Sequence, residues 1–111
     1  MAAIERRRHR RKYAEGELGP DRSFYFRGPD GKLNLRARNL MQFVQIGEGV
    51  DDETWIYHLR NGDYSEWVRT SVKDQPLADE IEKIEKEGMD SANSSRERIQ
   101  EEIERRYTGA A

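Results

Sequence analysis

Apolar side chains recur at helical intervals along the middle of the chain, with polar residues at the positions between them. Leu33, Ala37, Leu40 and Val44 are separated by four, three and four residues, which is the one-sided period of an amphipathic helix. The asparagine that follows Leu33 is a favoured N-cap residue, because its side chain accepts a hydrogen bond from an unpaired backbone N–H. The pattern therefore predicts a first helix over about residues 35–47.

Two shorter helices are predicted next, each behind an aspartate. Asp51 or Asp52 starts a helix that ends at residues 61–62, and Asp63 starts another over about residues 64–72. A carboxylate stabilises a helix N-terminus, because the first backbone N–H groups lack partners and the macrodipole is positive there.

The last third of the chain predicts two more helices. Asp74 and Pro76 open a helix that ends at Gly88, since the missing N–H of proline is not needed in a first turn. Serines at positions 94–95 start a final helix that runs to about residue 107.

An aromatic segment precedes the helices and predicts a β-hairpin. Residues 24–26 (FYF) are strand formers, residues 28–31 (GPDG) have strong turn chemistry, and residues 32–35 supply the second strand. An isolated hairpin is marginally stable in water, so this one is expected to lie on the helices. The aromatic rings either cover the helical core, which we favour, or form a platform for stacking bases.

The final helix has an apolar strip only one residue wide. Ile99, Ile103 and Tyr107 follow one another at intervals of four. A strip this narrow buries little surface alone and needs a groove to pack into. One interpretation is a homodimer through these three residues.

The sequence thus predicts a mainly α protein with one domain. It is expected to be a compact bundle of about five short helices with an N-terminal β-hairpin and a basic N-terminal arm. Residues 1–22 form the basic arm and linker, and residues 23–108 form the helical domain. The predicted core consists of Leu40, Phe43, Val44, Trp55, Leu59, Trp67, Leu77, Ile81 and Ile84.

Composition excludes several classes of function. The chain has no cysteine and two histidines, which excludes disulfides, thiolate metal sites and a cysteine nucleophile and leaves too few histidines for most histidine-built metal sites. No apolar run has the length that spans a bilayer, and the N-terminus lacks the apolar part of a signal peptide. We expect a soluble cytoplasmic protein without a cofactor or a bound metal.

Charge is distributed unevenly along the chain. The net charge is only -2, although 38% of the residues are charged. Residues 1–38 hold 11 Lys and Arg against 5 Asp and Glu, and residues 39–111 hold 9 against 17. This asymmetry predicts a basic segment in front of an acidic body.

The basic side chains are the candidate binding residues. Contact with an acidic protein partner is the leading interpretation, phosphate contacts to a nucleic acid are the alternative, and a solubilising tail is the simplest. The candidates are Arg6, Arg7, Arg8, Arg10, Arg11, Lys12, Arg27, Arg36 and Arg38.

His58 and Asp63 are weaker functional candidates. A catalytic role for His58 needs a converging carboxylate, and Asp63 is near enough in sequence to supply one. A histidine at a helix edge is more often structural. Asp63 and Glu66 also have the spacing of a capping box, which explains both carboxylates without catalysis. Ser65 lies between them but has no evident general base.

Most of the chain resembles a helical module of uncharacterised bacterial proteins. In some of these proteins the module follows a haloacid-dehalogenase-type phosphatase and nucleotide-binding region as a C-terminal extension. The Asp-x-Asp nucleophile motif of such phosphatases is absent from this sequence, so the resemblance implies partnership and not phosphatase activity. It is carried by residues 9–16 (HRRKYAEG), 24–32 (FYFRGPDGK), 35–40 (LRARNL), 49–55 (GVDDETW), 58–60 (HLR), 62–67 (GDYSEW), 73–74 (KD) and 77–78 (LA).

Three functions follow from these observations. The first is a non-enzymatic interaction or regulatory module that docks on a phosphatase-type enzyme or associates with itself. The second is a nucleic-acid-binding protein that uses the arginine-rich arm. The third is a small enzyme or an enzyme accessory subunit that uses His58 and Asp63.

Overall fold

The computed structural model describes residues 12–87 and 91–107, and it is mainly helical with one β-hairpin. Residues 12–15 have helical backbone. The elements that follow are β1 (Phe24–Phe26), β2 (Leu35–Ala37), α1 (Leu40–Gly49), α2 (Asp52–Asn61), α3 (Asp63–Trp67), a π-helical continuation (Val68–Val72), α4 (Gln75–Glu87) and α5 (Ala92–Tyr107). The predicted mainly α bundle with an N-terminal hairpin is confirmed.

The hairpin is present, but its second strand comes later than predicted. β1 and β2 pair in antiparallel fashion, with Phe24 opposite Ala37 and Phe26 opposite Leu35. The first helix therefore cannot begin at residue 35, as the spacing of apolar residues predicted.

The start of α1 is set by Asn39 and not by Asn34. The Asn39 side chain accepts a hydrogen bond from the Gln42 backbone N–H at 2.8 Å. Ala37 is a buried residue of β2. It is therefore apolar because of its position in the sheet, and it is not part of the apolar face of a helix.

Two aspartate caps are confirmed. Asp51 accepts a hydrogen bond from the Thr54 backbone N–H at 3.0 Å, and Asp74 accepts one from the Leu77 backbone N–H at 3.1 Å. The Asp51 pKa is lowered, first by its hydrogen bond from the Thr54 hydroxyl and then by the bond from the Thr54 backbone. Both helices therefore begin close to where the sequence placed them.

The predicted capping box at α3 is wrong. Gly62 is the N-cap residue and has no side chain, while Asp63 turns away from the helix. Glu85 reaches over from α4 and accepts the Ser65 backbone N–H at 3.1 Å. The N-terminus of α3 is thus closed by a carboxylate from another helix.

α5 starts earlier than predicted, and its partner groove lies in its own chain. The Ser91 hydroxyl accepts a hydrogen bond from the Ser94 backbone N–H, and the helix begins at Ala92. Ile99, Ile103 and Tyr107 are buried against the rest of the domain. The prediction that these residues form a homodimer interface is therefore corrected, because the strip is already covered.

The core contains every residue that the sequence assigned to it. It also includes Phe26, Tyr64 and Val68, which are fully buried. The hairpin packs on α1 and α2, whereas α4 and α5 pack against each other. Phe24 and Phe26 point into this core, so the favoured interpretation of the aromatic strand is confirmed over the stacking platform.

The packed part of the chain begins before residue 23. Tyr13, Ala14 and Leu18 are buried, and the Leu18 backbone N–H donates to the Arg38 carbonyl oxygen at 2.9 Å. The Asn39 amide also donates to the Gly16 carbonyl oxygen at 2.8 Å. Part of the segment interpreted as a linker is thus fastened to the domain.

None of the helices in residues 12–87 and 91–107 combines the length and the apolar character needed to cross a membrane.

Candidate interaction surface

His58 lies on α2, beneath the loop that joins the two strands. Its side chain is buried, with the whole residue 6% exposed. The rings of Phe24 and Tyr57 approach the imidazole edge-on, at centroid distances of 5.4 and 5.0 Å. The site that the sequence indicated is therefore inside the domain and not in an open cleft.

Both nitrogens of His58 are hydrogen-bonded. Nδ1 is 2.8 Å from Asp63 Oδ2, and Nε2 accepts the backbone N–H groups of Arg27 and Gly28 at 3.1 and 3.3 Å. Since the two N–H groups can only donate, Nε2 must be unprotonated, and Nδ1 carries the proton that is donated to Asp63.

This arrangement joins three parts of the fold. The imidazole connects the end of β1 to α2, and Asp63 connects it to the start of α3. Use of His58 as a general base or a metal ligand would require a nitrogen that now holds the loop. The sequence paired His58 and Asp63 correctly, and the structure gives that pair a role in positioning the loop.

The loop passes very close to α2 at Gly28. Gly28 has a φ of +79°, and a Cβ there would lie 3.0 Å from the Thr54 hydroxyl oxygen. Both features require glycine. Residues 27–33 and the first turn of α2 border a shallow cleft of about 150 Å³.

Two large hydrophobic side chains of the described residues are exposed. They are Leu35, in β2, with 41% of its surface exposed, and Tyr57, beside His58, with 36%. We call residues 27–33 with Leu35, Glu53 and Tyr57 the hairpin face. It combines apolar side chains, charged side chains and a loop backbone that is hydrogen-bonded to the buried His58.

Among the predicted binding residues that the structure describes, Arg27 belongs to the hairpin face. Its guanidinium lies 4.7 Å from the centre of the Tyr25 ring and is exposed. The Tyr25 hydroxyl donates to the Pro20 carbonyl oxygen at 2.6 Å, which fixes the ring beneath the arginine. The pair presents a positive charge at a defined position.

Arg36 and Arg38 have other positions. Arg36 is half-buried and donates to the Ser23 hydroxyl and the Leu18 carbonyl oxygen, at 2.9 and 2.8 Å. It therefore fastens the N-terminal segment to the hairpin. Arg38 is exposed and forms an ion pair with Glu17 at 3.4 Å.

Lys12 is exposed, with its ammonium group 5.2 Å from the centre of the Tyr13 ring. The other basic candidates lie outside the described residues. They are Arg6, Arg7, Arg8, Arg10 and Arg11.

Sequence reasoning missed the Glu85–Ser65 pair. The Ser65 hydroxyl donates to Glu85 Oε1 at 2.5 Å, beside an open groove of about 400 Å³ between α3 and α4. Burial raises the pKa of Glu85, against the lowering effect of its bonds from Ser65. Twenty residues separate the two, so no local spacing signals the contact.

Arg96 was also missed. It is buried on α5, with its guanidinium 5.4 Å from the centre of the Trp55 ring. It donates to the carbonyl oxygens of Gly47 and Val50 and forms an ion pair with Asp52 at 2.6 Å. It thus closes the C-terminal end of α1 from outside, as basic groups do at helix ends.

Within the described ranges, no group of three or more His, Cys, Asp or Glu side chains could hold a metal ion. Comparison with protein-family models, with curated proteins and with solved structures finds no match to this chain.

Proposed function

We propose that this chain is a non-enzymatic interaction module and that the hairpin face meets its partner. The observation that supports this most is the position of His58. A buried imidazole accepts two backbone N–H groups of a surface loop, so that the loop is presented in one conformation. Fixing a binding loop in advance lowers the entropy lost on association.

The partner that fits this face has an acidic surface. Arg27 and Lys32 are exposed on the loop, and the first 38 residues carry a net positive charge. Asp30, 3.8 Å from Lys32, and Glu53 offset these two charges on the face itself, so the attraction to an acidic partner depends on the basic N-terminal segment as well. The acidic helix α4, with five Asp and Glu against two Lys, packs against α3 and α5, whereas the hairpin packs on α1 and α2. The resemblance in sequence suggests a haloacid-dehalogenase-type phosphatase as the first partner to test.

The test compares two charge reversals of equal size. One variant carries Arg27→Glu and Lys32→Glu on the hairpin face, and the control carries Lys83→Glu and Arg98→Glu on the α4–α5 face. All four side chains are exposed, so each variant should fold. Proteins captured by the wild type are identified, purified and titrated against each form, with a phosphatase of this type included.

We expect the hairpin-face variant to bind the partner at least about tenfold more weakly and the control to bind within about threefold of the wild type, with affinity falling as salt increases. Equal binding by the wild type and the hairpin-face variant, with loss in the control, would place the interface elsewhere and reject the proposal.

A second candidate function is nucleic-acid binding. Six basic side chains lie between residues 6 and 12, and the Arg27–Tyr25 pair adds an exposed cation on a ring. Labelled single- and double-stranded oligonucleotides at low salt provide the test. Binding that weakens steeply with salt and disappears when residues 1–11 are removed would support it, whereas no binding at low salt would exclude it.

A further inference from the structure

We propose that His58 is a proton-operated clamp on the hairpin loop. Acidification would release residues 27–28 from the imidazole and so weaken partner binding by the hairpin face. The clamp is read from the geometry alone, and its effect on a partner rests on the proposed function. The two statements are therefore tested by separate measurements.

The clamp works only while His58 is neutral. Nε2 accepts the N–H groups of Arg27 and Gly28 at 3.1 and 3.3 Å. A proton on Nε2 would make this nitrogen a hydrogen-bond donor, and it would then face the two backbone N–H groups, which are also donors. Both backbone bonds would then be lost, and Gly28, which is buried, would have no substitute from solvent without movement of the loop.

The groups that face His58 act in opposite directions. Asp63, at the start of α3, lies 2.8 Å from Nδ1 with 38% of its side chain exposed, and its negative charge favours the imidazolium. The two backbone N–H groups from the loop oppose it. Tyr57 on α2 and Tyr64 on α3 present rings to the imidazole, and the buried Tyr64 has its pKa raised well above the normal range, so it stays uncharged.

Asp63 therefore has two roles toward the His58 ring. It orients the neutral ring by accepting Nδ1–H, and it also gives the imidazolium a counter-ion once Nε2 is protonated. The Asp63 side of the ring therefore keeps its bond in both states, whereas the loop side loses its two bonds when Nε2 is protonated.

The experiment follows the amides and the imidazole by NMR on the full chain. Hydrogen exchange is measured between about pH 7.5 and 5 and corrected for the intrinsic pH dependence of exchange. We expect the Arg27 and Gly28 amides to lose protection by at least about tenfold. The Phe43 amide in α1, which donates to the Asn39 carbonyl oxygen, should change by less than about twofold.

Two variants separate the clamp from general acid instability. In His58→Gln the amide oxygen can accept the loop N–H groups and cannot take up a proton, so protection at residues 27–28 should not vary with pH. In Asp63→Asn the counter-ion is removed, so the loss of protection should move to lower pH. An imidazole that protonates without any change at Arg27 and Gly28, or one that stays neutral down to pH 5, would overturn the clamp.

Partner binding is then measured across the same pH range. If the exchange result holds and binding does not depend on pH, the clamp stands and the hairpin face is not the interface. If binding to the hairpin face is established and exchange is flat, the proposed function stands and the clamp is rejected.

Discussion

The hairpin region, residues 12–38, and the helical pair α4–α5 are stabilised in different ways. In α4–α5 the contact is made by apolar residues at helical spacing, such as Ile81 and Ile103, with ion pairs along the outer surface. In the hairpin region, polar side chains reach backbone groups that are distant in sequence. His58, Arg36 and Asn39 each hold a backbone segment in this way.

This difference determines what each region can do. A helix contact made of periodic apolar strips tolerates exchange of side chains of similar volume. A loop held by a few specific acceptors has a defined position but depends on each of them. The loop of the hairpin region is thus held in one defined position, which suits a binding surface.

The largest expected effect is in the helical pair. Ile103→Ala removes a fully buried side chain from α5, and we expect the free energy of unfolding to fall by about 2–5 kcal/mol. Denaturant unfolding measures it. Leu35→Ala, at an exposed apolar position, should change stability by less than about 0.5 kcal/mol. Equal effects would mean that α5 is not packed as described.

The next prediction tests whether the buried Arg96 contributes as much to stability as a buried apolar side chain of α5. Arg96→Met keeps the length of the side chain but leaves the Gly47 and Val50 carbonyl oxygens without their donor. We expect a loss of about 2–4 kcal/mol, measured by thermal or denaturant unfolding. Arg98→Ala, which removes an exposed ion pair with Glu87, should cost less than about 1 kcal/mol.

A pair of glycines in the same loop sharpens the comparison within the hairpin. Gly28→Ala and Gly31→Ala both place a side chain at positive φ, but only position 28 also meets Thr54. We expect the free energy of unfolding to fall by about 1 kcal/mol in Gly31→Ala and by about 1–3 kcal/mol in Gly28→Ala. Unfolding of the two variants side by side gives the difference, and a larger cost at position 31 would contradict the contact.

The smallest effect is a pH dependence carried by Glu85. Burial raises its pKa above the ordinary value of 4.5, so the folded protein binds this proton more tightly than the unfolded chain does. The contribution of Glu85 to stability is therefore greatest below about pH 4.5 and falls as pH rises through the folded pKa.

Glu85→Gln removes this titration. The difference in unfolding free energy, wild type minus variant, should decrease from pH 4 to pH 7. Denaturant unfolding at four pH values within that range measures it. A difference that increases with pH would mean that the bonds from Ser65 outweigh burial.

The sequence predicted the helical pair well and the hairpin region less well, for one physical reason. Helical spacing and aspartate caps are local signals, and they located α2 and α4 and the buried residues of α5. Leu33 and Ala37 matched the same spacing by coincidence, because a half-buried turn residue and a buried strand residue also require apolar side chains. The first helix was therefore started too early.

The candidate site shows the same limit. Five positions separate His58 from Asp63, so their pairing was visible in the sequence. The other partners of His58 are backbone N–H groups about thirty residues earlier. Every residue except proline has such a group, so no side chain in the sequence marks them. The contacts of Arg96 could not be predicted for the same reason, because they are made to the backbone carbonyl oxygens of Gly47 and Val50.

The π-helical continuation of α3 has a consequence for how this chain tolerates insertions and deletions. Val68 accepts the backbone N–H of Lys73, five residues on, at 2.7 Å, and Lys73 then adopts a φ of +62°. The wider turn holds one residue more than an α-helical turn would. Removing one residue between 69 and 71 would give this turn ordinary α-helical spacing. It would also rotate Asp74 by about a quarter turn, away from the Tyr107 hydroxyl, whose hydrogen bond Asp74 accepts. A one-residue deletion should therefore be harmful in this segment, whereas most turns near a surface absorb one.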